Sequence, residues 1–130
     1  MGFEEVKHEI EEKLSLWGKG LRYVDYCELL RKIGIDARLG RFVAIRSYAV
    51  KDNVIEICIT IYTTLRLGIA LTLDIGKRKA KVVCTVMMPG GYIPFIDSRE
   101  IEIEENEVAS ILDVMGLTDV YRILKSNNLL

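Results

Sequence analysis

Ten aliphatic residues occupy odd-numbered positions between Ile55 and Ile75, and this two-residue period is typical of β-strands. Successive side chains of a β-strand point to opposite faces, so the period places all ten on one buried face. A single strand of this length would extend roughly 70 Å, which is too long for a domain of this size. The segment must therefore fold back. A three-residue loop at Arg66–Gly68 preserves the parity and predicts that Leu65 pairs with Ile69.

Strands are also predicted before and after this hairpin, which makes the sheet an antiparallel meander of four to five strands. The strand from Arg41 to Val50 is expected to turn through three residues, 51–53. That turn points Arg46 outward, whereas a two-residue turn would bury its guanidinium opposite Ile59, which is costly without a partner. Two more strands are predicted at Ala80–Met88 and Arg99–Ile103.

Helical periodicity predicts two helices before the sheet and two after it. Apolar residues recur every three or four positions from Phe3 to Trp17, and Gly18 is expected to end this first helix. Because 130 residues fit one ordinary core, we expect a single α+β domain spanning residues 1–130. The other three helices are predicted at Leu21–Ile33, from an N-cap at Asn106 to Gly116, and from Thr118 to Leu124.

Composition and motifs exclude several classes of function. No uncharged apolar run reaches the roughly 18 residues of a spanning helix, and the N-terminus lacks signal-peptide features, so we expect a cytoplasmic protein without membrane contact. Three cysteines and a single histidine, His8, do not form a zinc-binding pattern, and we expect no metal or cofactor. The absence of nucleotide-binding and hydrolase motifs favours a non-catalytic protein. Abundant Ile, Arg, Glu and Lys without any Gln is typical of thermophilic proteins.

Charge is distributed unevenly along the chain, although the net charge is only −1. Residues 18–81 carry 13 bases and six acids, a sum of +7, whereas residues 1–17 and 82–130 sum to −3 and −5. We expect the acidic flanks to neutralise the basic middle in the folded protein, or the middle to meet an acidic ligand.

One face of the predicted sheet carries fewer charges than a solvated surface normally does. We expect it to be covered by the chain's own helices, a second copy or a ligand. The main hypothesis is a non-catalytic interaction or assembly protein that forms a homodimer through this face or through the sheet edge. Aromatic residues interleaved with arginines support the alternative, a nucleic-acid-associated protein. The candidate binding residues are Phe42, Arg46, Tyr48, Tyr62, Arg66, Lys77, Arg78, Lys79 and Lys81.

Two observations qualify the alternatives. The pI of about 5.9 lies well below that of most nucleic-acid-binding domains. Both prolines of the chain lie in the loop Pro89–Phe95, which is expected to form a lid. A further hypothesis is a small ligand-binding protein or enzyme with a pocket beneath that loop.

Overall fold

A computed structural model describes residues 2–19, 22–24, 42–62, 66–88 and 95–130. For residues 22–24, 42–44, 86–88, 95–97 and 99 the description covers the backbone alone. The described residues form three helices and six strands. These are α1 (Phe3–Trp17), β1 (Arg22–Val24), β2 (Phe42–Lys51), β3 (Val54–Tyr62), β4 (Arg66–Asp74), β5 (Lys79–Met88), β6 (Phe95–Ile103), α2 (Glu105–Val114) and α3 (Thr118–Ser126).

The predicted α+β class and antiparallel meander are confirmed. The strands lie in chain order from β1 to β6, and every neighbouring pair is antiparallel. Five strands have nine or ten residues, which agrees with the predicted sheet, and β1 adds three residues beside the start of β2. The edge strand β6 begins at Phe95, four residues earlier than predicted.

The hairpin of β3 and β4 has the predicted loop length at a different position. Tyr62 pairs with Arg66, so residues 63–65 connect the two strands, and Ile69 pairs with Ile59. The predicted pairing of Leu65 with Ile69 was therefore wrong. Because the loop still has three residues, the parity is unchanged and the odd-numbered residues share one buried face, as predicted.

The turn between β2 and β3 differs from the prediction and reverses the faces of β2. Lys51 pairs with Val54, which leaves a two-residue turn, and Asp52 adopts a positive φ of 55° there. Asp tolerates this left-handed conformation better than most residues do. Arg46 consequently lies opposite Ile59, on the buried side of the sheet. The expected outward orientation of Arg46 was wrong.

The predicted second N-terminal helix is not present as proposed. Arg22–Val24 form strand β1, paired with Phe42–Ala44 of β2, and the rest of the predicted helix lies outside the described residues. Within the described part of the chain, one helix precedes the sheet and two follow it. Pairing with β2 satisfies the backbone groups of Arg22–Val24 that face β2, and helical periodicity alone does not reveal such a long-range partner.

The core lies between the three helices and one face of the sheet, which we call the covered face. On β3 and β4 it comprises the odd-numbered residues, and Ile55, Ile57, Leu71 and Leu73 have no exposed surface. The apolar stripe of α1 and the inner sides of α2 and α3 belong to the same buried cluster. The sheet therefore has one face on which the described helices pack, and a second face that these helices do not cover.

Both C-terminal helices end in the same hydrogen-bond pattern. Gly116 has φ 80°, its N–H donates to Asp113 O, and the next N–H donates to Leu112 O at 2.7 Å. This is a Schellman motif, which requires a left-handed residue after the helix. Asn128 takes that role after α3, with φ 57°. The predicted stop at Gly116 is confirmed, whereas the N-caps are Glu104 and Leu117 and not Asn106 and Thr118.

Candidate interaction surface

The residues predicted to bind a ligand are divided between two faces of the sheet. Arg46 and Tyr48 lie opposite Ile59 and Ile57, and therefore on the covered face. Phe42 begins β2, but its side chain is outside the part of the chain that the structure describes. Arg46 and Tyr48 thus do not lie on the same surface as Tyr62 and Arg66.

Arg46 is satisfied by contacts with the end of α1. Its Nη1 donates to Trp17 O at 3.1 Å, and its guanidinium lies 5.1 Å from the centre of the Trp17 ring. The indole Nε1 in turn donates to Met115 O at 2.8 Å. A stacked and hydrogen-bonded guanidinium avoids much of the penalty of burial. These contacts explain why β2 adopts the register of a two-residue turn, in which Arg46 lies opposite Ile59.

Tyr48 packs beside the same helix end. A Cβ placed on Gly18 would lie 3.3 Å from the Tyr48 ring, closer than most real contacts of that kind. Glycine at the end of α1 therefore lets the ring approach the helix. The cluster of Arg46, Tyr48 and Trp17 is best explained as the packing of α1 against β2.

Tyr62 and Arg66 lie on the other face of the sheet, as predicted. They are paired across β3 and β4, and the Arg66 guanidinium lies 5.4 Å from the centre of the Tyr62 ring. Both side chains are exposed. They therefore form an exposed cation–π pair at the end of the sheet where β3 and β4 are connected.

The basic residues near the turn between β4 and β5 lie at the opposite end of these strands. Lys77 donates its backbone N–H to Asp74 Oδ1 at 3.0 Å, and Arg78 Nη2 donates to Asn128 O at 2.8 Å. Lys81 Nζ lies 3.3 Å from Glu100 Oε1. Eight residues of β4 separate this turn from Arg66, a distance on the order of 25 Å. The nine predicted residues consequently do not make one continuous basic surface.

The surface opposite the covered face, which we call the open face, is formed by the alternate residues of the five long strands. They are the odd-numbered residues 45–51 and 79–85 and the even-numbered residues 54–62, 66–74 and 98–102. Part of it was predicted correctly on β3, β4 and β5, whereas Ile45, Ser47 and Ala49 were missed because of the β2 register. The centre of the open face is small and uncharged: Cys58, Thr60, Gly68, Ala70, Val83 and Thr85.

Cys58 is the one described thiol on the open face, since Cys84 points into the core, as predicted. Partial burial raises the pKa of Cys58 to about 11, and the hydrogen bond that its Sγ donates to Glu56 Oε1 at 3.4 Å acts in the same direction. Cys27 lies outside the described residues. Because the thiolate is the nucleophile, Cys58 is protonated and poorly reactive at neutral pH.

Alkylation of Cys58 by iodoacetamide is expected to accelerate about tenfold per pH unit and to level off only near pH 11, in line with its raised pKa. Removing the carboxylate by Glu56→Gln should lower this pKa and increase the rate at pH 8. Mass spectrometry of the peptide that contains Cys58 measures the rate in dilute protein, where self-association does not shield the open face, with the buried Cys84 as an internal control. A plateau at pH 9 or below, or no effect of the substitution, would contradict the assignment.

A metal-binding cluster and a membrane-spanning helix are both absent from the residues that the structure describes. No three of their His, Cys, Asp or Glu side chains are placed to hold a metal ion. His8 lies on the exposed side of α1. None of the described helices is both long and apolar enough to cross a membrane. The predicted lid at Pro89–Phe95 lies outside the described residues apart from the backbone of Phe95.

The described part of the open face therefore has a small, uncharged central patch, a cation–π pair at one end of its strands and a mixture of charges at the other end. None of these resembles a catalytic arrangement of acid, base and nucleophile. Comparison with protein-family models, with curated proteins and with solved structures finds no match to this chain.

Proposed function

We propose that this protein is a non-catalytic assembly domain that forms a homodimer by packing the open faces of two copies against each other. The observation that carries the proposal is the composition of the open face: its centre is small and uncharged, and the described helices all pack on the other side. Two sheets pack face to face when their facing side chains interdigitate about 10 Å apart.

The open face has the size that such a contact needs. Five strands about 4.8 Å apart, each with nine residues rising about 3.3 Å, cover roughly 700 Å². Stable protein interfaces bury about 800 Å² on each partner. The exposed side chains of Ile45 and Tyr62, 42% and 39% accessible, would contribute apolar area at its margin.

The charges of β4 match a second copy of the same surface. Ala70 lies at the middle of β4, and Arg66 and Asp74 lie four residues on either side of it. A two-fold axis that passes over Ala70 and runs across the strands would place Arg66 of one copy opposite Asp74 of the other. Contacts related by such an axis occur twice, so one complementary pair gives two ion pairs. The pairs of Arg66 with Asp74 favour a second copy over an unrelated partner. The same axis places Glu100 opposite Glu100 of the other copy, where each carboxylate is also paired with its own Lys81.

Sedimentation velocity across the micromolar range tests the proposal, with a dimer expected for the unmodified protein. Ala70→Arg and Ile45→Lys should each give a monomer, because they place an unpaired charge in the centre or at the margin of a desolvated contact. Ile101→Lys is the matched control: Ile101 is also 42% exposed but lies on the covered side of β6. The control should remain dimeric.

Charge exchange tests the two-fold geometry. Arg66→Asp should weaken the dimer, since two like-charged pairs would then face each other, and Arg66→Asp combined with Asp74→Arg should restore part of the affinity. Circular dichroism verifies folding, because Asp74 also accepts the hydrogen bond from Lys77. A monomer for the unmodified protein, or a dimer that survives both Ala70→Arg and Ile45→Lys, would refute the proposal.

The nucleic-acid alternative has less support from this geometry. Its basic residues lie at opposite ends of the sheet or on the covered face, and Lys81 is already paired with Glu100. Binding to single strands usually needs one continuous charged groove with aromatic side chains. Retardation of oligonucleotides at low salt, lost in Arg66→Ala, would favour it over the assembly function.

A further inference from the structure

The edge of β6 that no described strand pairs with is a second surface, which borders the open face. Among the described strands β6 pairs with β5 alone, so one side of Phe95–Ile103 has no neighbouring strand there. An edge strand of nine residues presents backbone N–H and C=O groups that another extended chain can pair with.

A groove of about 310 Å³ runs beside this edge, between β6 and α2. Its wall includes Ile101, which is 42% exposed although it lies on the covered side of the sheet. The helix α2 is too short to cover β6 completely, since ten residues of helix span about 15 Å and nine residues of strand about 30 Å. The apolar lining is formed by Val82, Ile101, Ile103 and Ile111, with Asn106, Glu107 and Ser110 at the polar rim.

The surroundings of the edge are strongly acidic. Residues 95–107 contain six acids and one base, a sum of −5. Glu100 pairs with Lys81, whereas Glu102, which is exposed on the same side of β6, makes no ion pair with the described residues. Pairing of two β6 edges would bring these acids together, and like charges on adjacent strands are destabilising. The charge therefore disfavours a second copy at this edge and favours a basic partner.

We propose that β6 binds an extended, basic segment of another protein by strand addition. Alternate side chains of an added strand point to opposite faces, so every second one enters the groove beside Ile101 and those between them lie on the side of Glu100 and Glu102. The partner segment consequently alternates apolar residues with Lys or Arg. This site goes beyond the proposed homodimer: its groove lies on the covered side of β6, and Glu100 and Glu102 are the residues that it shares with the open face.

Fluorescence anisotropy with a labelled Lys-Ile-Lys-Val-Lys-Ile-Lys peptide tests the proposal directly. The peptide should bind, and its affinity should fall as salt is added, because exposed ion pairs are screened. Two matched peptides separate strand addition from charge alone. Replacing every Lys by Glu should abolish binding. Replacing both the central Val and the Lys after it by Pro should weaken it strongly, because successive N–H groups of a strand point to opposite sides and one of the two would face β6.

Variants of the protein locate the site. Ile101→Lys should weaken binding by about tenfold or more, and Ile45→Lys, at the same exposure on the open face, should leave it unchanged. Glu102→Lys should weaken binding of the Lys peptide while leaving the apolar lining intact. Equal binding of the Pro peptide, or unchanged affinity in both Ile101→Lys and Glu102→Lys, would overturn the proposal.

The two proposals fail in distinguishable ways. Ile45→Lys should dissociate the dimer and retain peptide binding, whereas Ile101→Lys should retain the dimer and lose peptide binding. A protein that is monomeric yet binds the peptide would refute the homodimer alone. A dimer that does not bind the peptide would refute strand addition alone.

Discussion

Replacing Trp17 with alanine is expected to lower the free energy of unfolding by about 3–5 kcal/mol, the usual cost of removing a buried tryptophan. The side chain is only 7% exposed, donates a buried hydrogen bond to Met115 O, and stacks against Arg46. Its removal therefore creates a cavity and loses contacts with both α2's C-terminal end and β2. Urea denaturation followed by circular dichroism measures the change.

The neighbouring residue provides the control for this substitution. Leu16 belongs to the same helix but is 58% exposed, so Leu16→Ala should change stability by no more than about 0.5 kcal/mol. A double-mutant cycle between Trp17 and Arg46 should give a coupling of about 0.5–2 kcal/mol. A zero coupling would contradict the covered position of Arg46, and similar effects of Trp17→Ala and Leu16→Ala would contradict the buried position of Trp17.

A second large effect is expected at the centre of the covered face. Ile59 has no exposed surface and pairs with Ile69 on one side and Arg46 on the other. Ile59→Ala should destabilise the protein by about 2–5 kcal/mol, because the transfer free energy of the lost atoms adds to the cost of the cavity.

Ile101→Ala is the matched comparison, since it removes the same atoms from the same face at a site that is 42% exposed. Its cost should be well under half that of Ile59→Ala, because less apolar surface returns to water. Both should be measured at one protein concentration, since dimer formation stabilises the folded state by mass action. Equal costs at the two sites would show that the sheet is not packed as described.

The open face could be predicted from the sequence on some strands and not on β2. Even-numbered residues of β3 and β4, such as Cys58 and Ala70, follow from the two-residue period because their neighbours are consistently apolar. The position of Arg46 does not follow from that period. A guanidinium is stable on the covered face only where a hydrogen-bond acceptor and an aromatic ring contact it. Those groups belong to Trp17, 29 residues earlier in the chain.

The groove beside β6 was equally beyond prediction. Ile101 and Glu102 alternate as any exposed edge strand does, and nothing local indicates that α2 leaves Ile101 accessible. The exposure of Ile101 depends on where a ten-residue helix lies relative to a nine-residue strand. Such placement is decided by packing between elements and is not encoded in the period of either one.

Elements with a long, local pattern could be predicted from the residues alone: the amphipathic helix from Phe3 to Trp17, the alternation of β3 and β4, and the inward side of β5. The register of β2, the strand at Arg22–Val24 and the face that the helices cover became known from the three-dimensional fold. Side-chain periodicity follows from backbone geometry within one element, so it can be recognised without knowing the rest of the fold. Register and coverage depend on free energies of contact between residues far apart in the chain, such as Arg46 with Trp17.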